Sequence, residues 1–185
     1  LMLGAGSEES VERSEIPRRA AGVVAASLRG IERVLGEPAV SPEIHAALPV
    51  ARAEQDAASG LVVVRGTTPM AFAVHPQAAL AEGRPAERGR DEAIVGRRVA
   101  DLVGVESIEV GDRLRIDEIG VEVVGVFDAP GTVMDAEIWM PLADLGVLVQ
   151  RDSLSCIVFA ATDGDPEGRT FAAAQAFAAT RLDLE

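Results

Sequence analysis

The chain has 185 residues, 48% of them hydrophobic and 25% charged. That suits one globular domain with a core of its own and excludes a disordered polypeptide. The formal net charge of −13 excludes the basic surface that nucleic-acid phosphates demand and argues against broad docking on anionic lipid.

All of the positive charge is Arg, because the sequence contains no Lys; it also lacks Asn and Tyr. Codon bias in a GC-rich genome accounts for this, although Arg also forms forked carboxylate pairs that Lys cannot. Cys156 is the single cysteine, so no intrachain disulfide forms. No window approaches the ~18 apolar residues of a membrane span, and no signal peptide is visible. Leu1 ahead of Met2 reads as the start of an excised piece, and Leu184-Glu185 as native chain or vector scar.

In chain order, Leu1-Met2-Leu3 predicts an edge strand, and Gly4-Ala5-Gly6-Ser7 a Gly-rich turn. That turn is no phosphate cradle: no Lys-Ser/Thr pair follows, and Glu8 and Glu9 repel phosphate. A long amphipathic helix is predicted over residues 14–35. Ile16, Ala20, Val23, Val24, Ser27, Leu28, Ile31, Val34 and Leu35 would share its inner face, Ser14 would cap it, and Gly36 and Pro38 would stop it. Residues 44–50 predict a strand, 52–60 a loop or hairpin tip, and 61–64 a strand closed by Arg65-Gly66.

Ile94, Val95, Val99, Leu102 and Val103 recur at helical spacing, with Gly104 as the stop. Gly111-Asp112 is a turn. Leu114 and Ile116 then alternate with Arg113, Arg115 and Asp117, and Asp117-Glu118-Ile119-Gly120 connects them to Val121, Val123, Val124 and Val126. This second strand is too β-branched for one wet face and predicts burial on both sides. Ile138-Trp139-Met140 is a strand halted by Pro141, and 142–149 a short helix. Cys156 to Ala160 is a buried strand, Asp163 to Gly168 a loop, and 170–182 an Ala-rich helix. Both ends therefore carry a strand-helix-strand order, which can share one sheet as in ferredoxin-like folds.

Several segments fall in a telling order: Glu82-Gly83-Arg84, Asp91 to Gly96 (DEAIVG), Val110-Gly111-Asp112, Val123 to Phe127 (VVGVF) and Glu137 to Leu142 (EIWMPL). Earlier come Gly4 to Ser10, Val40 to Ile44 (VSPEI) and Arg65-Gly66-Thr67-Thr68-Pro69. This series resembles the extracytoplasmic (periplasmic core) domain of MacB/FtsX/LolE-type ABC transporter permeases. The resemblance implies an α+β fold. A ferredoxin-like porter lobe would come from residues 1–59 plus 151–185, and an inserted β-rich lobe from 60–150. It implies membrane helices flanking this piece, an ABC ATPase subunit as partner, a second permease protomer, and an extracytoplasmic cargo or adaptor protein. It implies a periplasmic or extracellular place for the domain, and no cofactor.

No catalytic constellation is apparent. His45 and His75 are the only histidines; each reads as an ordinary surface or packing residue, since a lone His lacks the paired spacing of a site. Asp163, Asp165 and Glu167 alternate as calcium ligands do, but position 174 is Ala174 where a closing Glu would be needed. Asp112, Asp117 and Glu118 read as strand-end charges. Cys156 sits among apolar neighbours and reads as an inert buried thiol. Trp139, Phe127, Val126 and Met140 read as core, with a ligand pocket as the alternative. Catalytic, cofactor and metal residues are thus expected to be none, and the substrate-binding residues stay unknown.

Three functions are compatible with these features: a non-catalytic module coupling cytoplasmic ATP hydrolysis to export, lipoprotein or lipid extraction or cell-wall regulation; a soluble enzyme with an inter-lobe site; and a passive interaction module. A hinge is expected at Ser59-Gly60 and at Arg151-Asp152-Ser153, because both chain crossings are small and polar.

Overall fold

The structure, a computed structural model, describes residues 1–3, 11–53, 59–162 and 169–179. In chain order its elements are β1 (Met2–Leu3), β2 (Ile16–Pro17), α1 (Arg19–Ser27), β3 (Arg33–Val34), β4 (Glu37–Pro38), β5 (Val40–Arg52), β6 (Ser59–Thr67) and α2 (Ala71–Val74). There follow β7 (Ala79–Gly83), β8 (Glu92–Gly96), α3 (Val99–Val103), β9 (Arg113–Ile116), β10 (Ile119–Asp128), β11 (Glu137–Pro141), α4 (Leu142–Leu148), β12 (Ser153–Leu154), β13 (Cys156–Phe159) and α5 (Arg169–Ala179). The fold is α+β, as expected.

Six strands close into a ring. β5 pairs β6, β6 pairs β11, β11 pairs β8, β8 pairs β10, β10 pairs β9, and β9 returns to β5. Closure removes the edges of the ring's own strands, and the sheet ends outside the ring at β7 and β1. Its interior holds Val50, Val62, Val64, Val95, Leu114, Ile116, Val121, Val123, Ile138 and Met140, all buried in one apolar cluster. The two short helices α3 and α4 meet opposite ends of β6. A Cβ on Gly60 would lie 2.0 Å from the Leu102 carbonyl oxygen, and one on Gly66 3.2 Å from Leu145. Gly60 is therefore small because α3 crosses it. The segment Ser59-Gly60, expected as a small polar crossing, lies inside β6 and is paired with Ala51 and Val50 of β5.

β5 also extends beyond the ring. Its first residues, Val40 to Glu43, pair with Phe159 to Cys156 of β13, and β13 pairs β1 at the sheet's end. Ile157 and Met2 face one side of this extension and join α1 (Ala20, Val24), Leu28 just after it, and α5 (Ala174, Ala178) in one apolar cluster. Cys156 and Val158 face the other side. Both helices thus cover the same face of the sheet.

The helix predicted over 14–35 is shorter. Ile16 and Pro17 pair with Leu154 and Ser153, so the chain is extended there. α1 ends at Leu28, whose backbone is extended, and Gly30 at φ +83° turns the chain away. Leu28 and Ile31 sit at helical spacing yet are buried from a non-helical segment. Val34 ends a two-residue hairpin turning through Leu35 and Gly36, both at positive φ. The helix predicted from Ile94 is likewise two elements: Ile94 and Val95 lie in β8, and only 99–103 is helical, stopped by Gly104 at φ +71°. Parallel pairing of β8 with β10 buries both of its faces, and a continuous apolar run then mimics helical spacing. Between β9 and β10 the connection is two residues, Asp117 and Glu118, because Ile119 already pairs Ile116.

Candidate functional site

β5, β6, β11 and β13 lie side by side, and their registers align six polar-tipped side chains on the outer face of the sheet. His45 of β5 stands opposite Arg65 of β6, Arg65 opposite Trp139 of β11, and Glu43 of β5 opposite Cys156 of β13. Glu137 joins them two residues before Trp139. His75 arrives from the end of α2.

Arg65 is the hub. Its Nε and Nη2 each donate 2.7 Å to the two oxygens of Glu137, a forked pair, and Nη1 donates 2.6 Å to Glu43 Oε2. Trp139 Nε1 donates 3.0 Å to Glu137 Oε2, and the guanidinium carbon lies 5.7 Å from the Trp139 ring centre. His75 Nε2 bonds Glu43 Oε1 at 2.8 Å, and His45 Nε2 stands 3.4 Å from Glu43 Oε2. Glu43 is fully buried. Burial alone would raise its pKa, but the His45 and His75 hydrogen bonds and the charge of Arg65 outweigh it and hold the carboxyl well below its usual range. Burial also opposes the charge of Arg65; Glu137 and Glu43 overcome this and push its pKa up.

The cluster lies at the floor of a groove of about 650 Å³, lined by His45, Arg65, His75 and Glu137 and rimmed by Glu12 and mostly apolar residues. Four of the rim residues, Leu1, Leu61, Leu102 and Val133, are exposed.

The geometry opposes thiol catalysis. A triad uses one imidazole nitrogen for the nucleophile and the other for the carboxylate. Here the same atom, His45 Nε2, faces both Cys156 Sγ at 3.8 Å and Glu43 Oε2. Cys156 is fully buried, and burial, then the nearby Glu43 charge, pushes its thiol pKa up, away from the reactive thiolate.

Other sequence candidates fall elsewhere. Trp139 and Phe127 do pack together, ring centres 4.5 Å apart, with Phe72 over Trp139. Val126 and Met140 point the opposite way, into the ring, so the four residues form two cores. A cavity of about 200 Å³ opens beside Trp139, between Phe72, Pro69 and Pro85. Asp112 accepts 2.7 Å from Arg52, and Asp117 occupies the hairpin turn at φ +52°. Asp163, Asp165 and Glu167 lie outside the described residues, as do Gly4 to Ser10.

A second ion pair ties two of the sequence segments together. Arg84 forks onto Glu92 at 2.7 and 2.6 Å, and the Glu87 amide donates 2.9 Å to the same carboxylate. A Cβ on Gly125 would lie 2.6 Å from the Arg84 carbonyl oxygen. Arg84, Glu92 and Gly125 are thus one contact, drawn from three of the segments that suggested the family.

The sequence matches the MacB-like periplasmic core domain over residues 2–177. The chain belongs to that family. Its MacB-like fold recurs in solved structures of low identity. The periplasmic region of MacB from Actinobacillus actinomycetemcomitans superposes with a TM-score of 0.71 at 11% identity, covering 100% of this chain and 85% of that one. The extracellular domain of the noncanonic ABC-type transporter YknZ from Gram-positive bacteria gives 0.69 at 12%, covering 100% and 98%. A domain of a putative permease protein from Porphyromonas gingivalis gives 0.60 at 14%, covering 92% and 82%. Comparison with curated proteins gives no significant match. Among the described residues, no helix is long and apolar enough to cross a membrane.

Proposed function

We propose that this MacB-like domain is the non-catalytic extracytoplasmic part of an ABC transporter permease. ATP is hydrolysed by a separate cytoplasmic ATPase subunit, and the motion reaches this domain through membrane helices of the permease and its second protomer. Outside the membrane the domain handles cargo or an adaptor protein, in export, in lipoprotein or lipid extraction, or in cell-wall regulation. The observation that carries this reading is the family match spanning residues 2–177.

The two lobes, residues 1–59 with 151–185 and residues 60–150, shift in this reading as the ATPase cycles, with residues 44–52 moving with the second lobe because they pair β6 and β9 within the ring. β5 serves both, pairing β13 up to Glu43 and β6 from Ile44 onward. A shift between lobes is therefore a bend of β5 beside the Arg65 cluster, and the apolar-rimmed groove lies over that bend.

The test uses the full-length permease with its ATPase in lipid. Deleting residues 2–177 should leave ATP hydrolysis measurable and abolish the transport or extraction phenotype. An unchanged phenotype would reject the reading. Ester or peptide turnover by the purified chain, lost in His45→Ala or His75→Ala, would favour an enzyme instead.

A further inference from the structure

Three side chains with metal-binding atoms converge beside the groove. Cys156 Sγ lies 3.8 Å from His45 Nε2 and 3.9 Å from Glu43 Oε2, and the last two atoms are 3.4 Å apart. Thiolate, imidazole and carboxylate together form the donor set of zinc-class ions, whereas magnesium and calcium prefer oxygen alone. With bonds of about 2.0–2.3 Å at tetrahedral angles, zinc ligand atoms stand roughly 3.3–3.6 Å apart. The cluster needs only a few tenths of an ångström of contraction to match. Its members sit on paired strands: Glu43 and His45 alternate on one face of β5, and Cys156 is the register partner of Glu43 on β13.

We propose that Glu43, His45 and Cys156 bind one zinc-class divalent ion, with the fourth position open toward the groove. The charge favours it. Two buried carboxylates, Glu43 and Glu137, face one guanidinium, Arg65, so these three groups carry one negative charge in excess. A divalent ion with a Cys156 thiolate brings the cluster to neutrality, the thiol proton passing to solvent. Arg65 and His75, already bonded to Glu43, fix the orientation of the carboxylate, as hydrogen-bonding partners of metal ligands do. His45 lines the groove, which gives the ion an entry path.

The test titrates the chelator-treated 185-residue chain with Zn²⁺ alone by calorimetry in two buffers of different ionisation enthalpy, and with Co²⁺ by absorption. The expected result is one ion per chain, about one proton released per ion, and a cobalt–thiolate charge-transfer band in the near ultraviolet. Cys156→Ser should abolish the band, and both it and His45→Gln should weaken Zn²⁺ binding by more than about tenfold. Cys156 is the sole thiol, so a band in the wild-type chain assigns itself even where a variant folds poorly. No band in the wild-type chain, or Zn²⁺ binding of equal strength in folded Cys156→Ser, overturns the proposal. None of these outcomes depends on the transporter reading.

Discussion

Two forked Arg–Glu pairs brace this domain, and they differ in almost every respect. Arg84–Glu92 links residues eight apart, its arginine side chain is 44% exposed, and it anchors the β7–β8 corner on the outside of the ring. Arg65 links Glu43 to Glu137 across three strands from distant parts of the chain, and all three side chains are buried. The first is a local brace with a half-exposed arginine on a buried carboxyl, Glu92. The second lies where the ring meets the β13 extension of the sheet, so both parts of the fold depend on it. Exposed pairs contribute little net stability, while removing one partner of a buried pair strands the other's charge.

Arg65→Met should therefore have the largest effect, about 3–5 kcal/mol by denaturant unfolding, because two buried carboxylates lose their counter-charge. A loss below that of Arg84→Ala would break the comparison. Gly60→Ala comes next: its Cβ would collide with the Leu102 carbonyl oxygen, and displacing α3 should cost roughly 1–3 kcal/mol, read from the thermal midpoint. Arg84→Ala should cost only about 1 kcal/mol and lose most of its effect in high salt, which the Arg65 variant should not.

Acid sharpens the contrast. Arg84, countered by burial, pulls the Glu92 carboxyl down to about 2, and Glu43 is also held below its usual range. Carboxyls with lowered folded-state pKa stabilise the fold fully above their unfolded value of about 4.3 and lose that contribution as pH falls toward 2. Stability should thus decline below about pH 4.3, and Arg84→Ala should flatten part of that decline. The smallest effect has the opposite sign. Leu35 is fully exposed at φ +52° before Gly36, so Leu35→Asn should stabilise by up to about 1 kcal/mol, visible as a small rise in thermal midpoint.

What was legible in the sequence follows the same divide. The β9–β10 hairpin, β11, α4, β13 and the stop at Gly104 were all readable, because alternation, β-branched runs and turn residues act over a few neighbours. The family segments were readable because they make one local contact, Arg84 to Glu92 against Gly125. The Arg65 cluster was not. His45, His75, Glu43, Glu137 and Cys156 share no spacing, and only the order of β13, β5, β6 and β11 brings them together. The one available signal was polarity at Glu43, His45 and Arg65 on strands otherwise apolar, where an unpaired charge would be costly. The long helix failed for a related reason: Ile16, Leu28 and Ile31 are buried by a strand, a helix cap and a loop that happen to fall at helical spacing.

The central claim is that the ring and the β13 extension are coupled through Glu43 and Arg65. A double-mutant cycle of Glu43→Gln and Arg65→Met, followed by denaturant unfolding of the four proteins, measures it most directly. The account predicts an interaction energy above about 2 kcal/mol, the double variant being far less damaged than the single changes would sum to. Additivity within about 0.5 kcal/mol would contradict it.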